Sequence, residues 1–122
     1  MENLFQKGID YFNNGYYFEA HDTFEELWMN ERDEAIKFYQ GLVQLATGCY
    51  HLVMKNLRGA ESQLSKSAQK LSLYEPTYRN IDIIELVKQV QDCIQKIQHN
   101  AKLAQPNYKE IIALIPKIET RR

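Results

Sequence analysis

Residues 38–54 read FYQGLVQLATGCYHLVM, seventeen residues without Asp, Glu, Lys or Arg. At ~100° per residue, Gln40, Gln44, Thr47, Gly48 and His51 fall on one narrow polar stripe, extended by Lys37 and Lys55 at its ends. The rest of the arc is apolar: Phe38, Tyr39, Leu42, Val43, Leu45, Ala46, Cys49, Tyr50, Leu52, Val53 and Met54. This is the composition of a central helix touched on most sides by other elements. Its length and its glutamines and histidine make it too short and too polar to span a bilayer comfortably.

Helical periodicity continues on both sides, and no segment shows the sustained alternation of a strand. Helices are expected over about 3–13, 17–30, 33–55, 57–73 and 82–103, with a last short one over 107–114. Asn13-Asn14-Gly15 breaks the first, because Gly and Asn accept the left-handed conformation that ends a helix. Pro76 ends the fourth, since proline disfavours helix in the preceding residue. Asp82 is a fitting N-cap for the fifth, whose stripe is Ile83, Val87, Val90, Ile94, Ile97 and Ala101. The turn and helix start at Gly15–Ala20 has an echo at Asn56–Ala60. In each, a small residue after a short turn lets two helices approach closely. The expected architecture is all-α: one domain over residues 1–122, a compact bundle of five to six helices in antiparallel hairpins of tetratricopeptide-like type.

The totals agree with a single globular unit. At 122 residues, with 44% hydrophobic and 25% charged positions, the chain can bury roughly two-thirds of its unfolded surface. Sixteen acids against fifteen bases argue against a nucleic-acid binder, which shows a basic excess; Arg121-Arg122 is too short for a basic arm. Cys49 and Cys93 lie in apolar helical patterns and read as reduced, buried thiols. From Glu2 onward there is no basic-then-apolar leader, so the cytoplasm is the expected compartment.

The second expected helix carries the chemistry. His21 sits near the middle of its apolar arc, with Glu25 one turn later. Glu19, Thr23 and Glu26 form the opposite, solvated face. A carboxylate in an apolar arc is costly unless partnered, and residues four apart on a helix are natural partners. Two readings follow. In one, the central stripe is a wetted face and His21 hydrogen-bonds Glu25. In the other, the stripe faces the second helix and His21, Glu25, Gln44 and His51 converge. Then His21, Glu25 and His51 could hold a divalent metal (zinc, iron or manganese) at an open three-ligand site and activate water. Without metal, the His–Glu pair could serve as a base and its orienter. The aromatic run Tyr11, Phe12, Tyr16, Tyr17, Phe18, Phe24 and Trp28 reads as hairpin core and turn packing, and His99 as surface.

The stretch from Gly15 to Trp28, with Glu19, His21, an acid at Asp22, Glu25 and Trp28 at fixed spacing, resembles the hallmark of the domain-of-unknown-function family DUF309. Gln40 to Ala46, on through His51 to Gly59-Ala60, is similar to that family's second helix, and Tyr74-Glu75-Pro76 with Tyr78 and Asp82 to its third block. Asp22 stands where the family more often has glutamate. The resemblance implies an all-α, tetratricopeptide-like fold and the label "predicted metal-dependent hydrolase". By motif position the family residues fall on Glu19, His21, Glu25, Gln40, Gln44 and His51, with Trp28 locking the packing of the second helix on the third. The leading expectation is a small binding or interaction module for an unidentified protein or small molecule. The alternative is a metal-dependent hydrolase, and a homodimer through the fifth helix is a third course.

Overall fold

The structure, a computed structural model, describes residues 3–121. It has α1 (Leu4–Asn13), α2 (Tyr17–Met29), α3 (Ile36–Val53), α4 (Leu57–Ser72), β1 (Thr77–Tyr78), β2 (Ile81–Asp82), α5 (Ile83–Ala101) and α6 (Tyr108–Ile112). Glu2, from which the chain was read as lacking a leader, and the second half of the Arg121-Arg122 pair lie outside the described residues.

Local chemistry sets the helix starts. The side chains of Asn3, Asn56, Asp82 and Asn107 each accept the backbone N–H three residues on, satisfying one of the orphan donors of a first turn. Gly15, at φ 85°, makes the sharp turn between α1 and α2, which a Cβ would disfavour. The central helix was expected from residue 33 and opens at Ile36. The Asp33 carboxylate accepts the Ala35 N–H at 3.0 Å, a side-chain turn that competes with helix.

A small antiparallel ladder pairs Thr77 with Asp82 and Tyr78 with Ile81. Arg79 and Asn80, both at positive φ, form the tight turn that suits a two-residue hairpin. Strands of two residues are too short to show alternation, and the turn lacks the usual glycine. The tail returns to this ladder, with Thr120 bridged to Ile81.

Each helix from α1 to α5 packs on the next. Ala20 and Ala60 are fully buried, as the small residues after the two turns should be. The α3–α4 contact is tight at Gly48, where a Cβ would come within 2.7 Å of Leu64. Nearby, the buried Ser67 hydroxyl donates to the Gly41 carbonyl at 2.9 Å. Phe12, Phe24, Phe38, Leu42, Leu45, Leu52, Leu64, Leu71 and Ile97 are among the fully buried side chains of the core. Cys49 and Cys93 are buried free thiols, and burial pushes both thiol pKa values up, Cys93 to about 11. Among the described residues, no helix is long and apolar enough to cross a membrane.

Candidate functional site across α2, α3 and α4

The polar stripe of α3 lies between two neighbours. On the α2 side, Phe18, His21, Thr47, Tyr50 and His51 line an open cavity of about 240 Å³. Its wall is mostly carbon. The Thr47 hydroxyl donates to the Val43 carbonyl at 2.8 Å, and His21 and His51 bring two imidazoles to the cavity. The Phe18 ring stacks on His21, centroids 6.3 Å apart and 21° between planes, and leans on Tyr50 at 5.8 Å. Both rings remain open to solvent, Phe18 at 54% and Tyr50 at 38%.

Hydrogen bonding sets the two imidazoles differently. His21 Nδ1 lies 3.1 Å from Asp22 Oδ1. A carboxylate only accepts, so the neutral ring carries its proton on Nδ1. His51 Nδ1 lies 3.3 Å from the Asn56 amide nitrogen. The Asn56 oxygen is already held by the Gly59 N–H, so the amide donates to His51 and the neutral ring carries its proton on Nε2. In their neutral forms, one imidazole at the cavity has an accepting Nε2 and the other a donating one.

The His21–Glu25 pair differs from expectation. Their closest approach is 3.8 Å and the Glu25 side chain is 43% exposed. The distance is beyond a hydrogen bond, and the carboxylate keeps enough water to avoid the burial penalty that drew attention to it. His21 spends its hydrogen bond on Asp22 instead. Thr23, placed by the wheel on the solvated face with Glu19 and Glu26, is buried and donates to the Glu19 carbonyl at 2.9 Å. Glu19 and Glu26 are exposed.

The other candidates separate by neighbour. Gln44 turns to α4, where its amide oxygen accepts from Lys70 Nζ at 3.1 Å. Gln40 is half-buried one turn before it on the same stripe. Trp28 is half-buried and packs against the core. His99 is exposed near the end of α5. Phe18 and Tyr50, read from sequence as packing residues, belong to the cavity. Their signal was position: one helical turn before His21, and beside His51. Lys70 carries no motif that marks it in the sequence, though Lys66 and Lys70 share one face of α4.

A metal centre needs three converging donors. Among the described residues, no three His, Cys, Asp or Glu side chains are grouped to hold an ion. Of the expected set, His21 and His51 share the cavity, and Glu25 stands 3.8 Å from His21.

Two comparisons bear on identity. Residues 5–63 match the model of a family described as "Domain of unknown function (DUF309)", which spans α1, α2, α3 and the first turns of α4. A protein of Bacillus subtilis (strain 168) described as "Uncharacterized protein YpuF" is 25% identical over 112 residues. That match covers 87% of this chain and 64% of the relative, so the chain spans less than two-thirds of that protein's length. The matched residues hold the hairpin that carries Glu19, His21, Glu25 and Trp28 and the helix that carries Gln40, Gln44 and His51, so this part of the chain is similar to the family DUF309.

Proposed function

We propose that the chain is a binding module whose α2–α3 cavity takes a flat apolar group of its ligand. One observation carries this: Phe18 and Tyr50 are left open to solvent around a cavity with two imidazoles of unlike hydrogen-bonding character. Exposed aromatic rings gathered at a concave site favour recognition over stability. The helical hairpins add support only by fold-level analogy with tetratricopeptide-type modules. A cytoplasmic setting belongs to the same proposal and rests on the two free, buried thiols.

Saturation-transfer NMR with small aromatic fragments, indole first, tests this reading. The chain should transfer saturation to indole, and Phe18→Ala and Tyr50→Ala should abolish the transfer while leaving the helical signal intact. Equal transfer in all three proteins would dismiss the cavity as the site.

The second reading, metal-dependent hydrolysis, is favoured by the His21–Glu25 approach and by the presence of both histidines at one cavity. It requires side chains to move into a three-donor set. Elemental analysis of untagged protein tests it: about one equivalent of zinc, iron or manganese, lost in His51→Ala, would support it. Self-association through α5, which exposes Ile84, is tested by sedimentation at several concentrations.

A further inference from the structure

The end of the α3 stripe remote from the cavity has a different chemistry. Lys37 stands one helical turn before Gly41 on α3, and the Lys70 stem lies against Gly41, where a Cβ would meet Lys70 Cβ at 3.3 Å. Lys66 stands one turn before Lys70 on α4. One turn is about 5.4 Å of rise, so three ammonium-bearing stems leave the α3–α4 seam from one neighbourhood. The Lys70 ammonium is fixed by the Gln44 amide oxygen at 3.1 Å. That bond turns the Gln44 amide group to the seam, and its NH₂ end can still donate.

This grouping is uncompensated. Two cations elsewhere are paired, Lys96 with Glu110 at 2.7 Å and Arg121 with Asp82 at 2.6 Å. Among the described residues, Lys37, Lys66 and Lys70 make no ion pair. Burial and the charges of Lys66 and Lys37 together lower the Lys70 pKa, and no carboxylate acts on it. The chain has sixteen acids and a net charge of −1, yet among the described residues none comes within ion-pair distance of these three lysines. Like charges set close together cost stability, a cost that a bound anion would remove.

We propose that the α3–α4 seam at Lys37, Lys66 and Lys70 is an oxyanion site for a phosphate group, with Gln44 positioning Lys70 and offering an amide donor. A phosphate suits the site because its several oxygens can each take a charge-assisted hydrogen bond from a different ammonium group. This site lies on the α4 side of α3 and does not depend on the aromatic cavity.

The test is an NMR titration of the whole chain, following lysine Cε and glutamine side-chain signals. The probes are inorganic phosphate, methyl phosphate and citrate, each against sodium chloride of equal ionic strength, since surface electrostatics are screened by salt. Both phosphate probes should give saturable shifts at Lys70 and Gln44. Lys66→Gln and Lys70→Gln should each weaken binding about threefold or more, while Lys88→Gln on the exposed face of α5 leaves it unchanged. Tighter binding of methyl phosphate would point to a phosphate ester, and tighter inorganic phosphate to the free ion. Shifts that rise linearly, match those with chloride, or saturate at an unchanged phosphate concentration in both Lys66→Gln and Lys70→Gln would overturn the site. Citrate binding as tight as phosphate would overturn its assignment to phosphate.

Discussion

Gly48 shows how a single missing side chain sets the spacing on which the polar face depends. A Cβ there would sit 2.7 Å from Leu64 Cγ and 3.2 Å from the Leu64 backbone nitrogen. Alanine is favoured over glycine in a helix by about 1 kcal/mol. Overpacking a tight contact costs about 1–3 kcal/mol, and here the neighbour is a fully buried leucine that cannot swing aside. Gly48→Ala should therefore lower stability by about 1 kcal/mol net, measured as a reduced urea midpoint with unchanged slope. An increase in stability would mean that α3 and α4 are not held this close. The wheel had placed Gly48 in the polar stripe, because a glycine looks neutral on a wheel; its role as a contact point depends on Leu64, sixteen residues away. His21 was legible as an anomaly in an apolar arc. Its partner was not, since Asp22 and Glu25 are both within reach on paper and rotamers decide between them.

The start of α3 is an element-scale problem with a long-range solution. Its N-cap, Ala35, has no side chain to offer. The Phe38 N–H instead donates to the Tyr74 hydroxyl at 3.0 Å, and that hydroxyl donates to the Glu34 carbonyl. The Tyr74 ring packs edge-on against Phe38 at 5.4 Å and is tilted against Tyr78 at 4.7 Å. Tyr74→Phe keeps the ring contacts and removes both hydrogen bonds. The expected loss is about 1–2 kcal/mol, with faster amide exchange at Phe38 and its neighbours; exchange unchanged at Phe38 would show that the hydroxyl does not cap the helix. Helix ends held by their own Asn or Asp could be read from sequence, as Asp82 was. The start of α3 could not, because its cap comes from another element 36 residues away.

At the scale of the molecule, the tail ties the two ends of the helix array together. The Asn13 side chain bonds both the N–H and the carbonyl of Ile118, each at 2.8 Å, and Ile118 is buried at 1% exposure. Residues 113–121 carry little periodicity, so this return course left no sequence signal. The core has its own pH signature. Burial raises the Tyr17 phenol to about 12, with smaller contributions from Cys49 and Cys93. A group whose pKa is raised by folding stabilises the native state fully below its unfolded value, and that contribution is lost as pH rises beyond it. For Tyr17 the window runs from 10.0 to about 12. The thermal midpoint should fall across it, and Tyr17→Phe should flatten that part of the curve. An identical alkaline slope in both proteins would show that the phenol is not buried in this way.

In the proposed binding role, Phe18, His21, Tyr50 and His51 act as one site. The most direct measurement is an indole titration observed through the imidazole carbon–proton signals of His21 and His51. Both rings should shift along saturating curves with a common dissociation constant, and both responses should vanish in Phe18→Ala. Movement of one ring alone, or of neither, would contradict a shared cavity and with it the binding role proposed for this face.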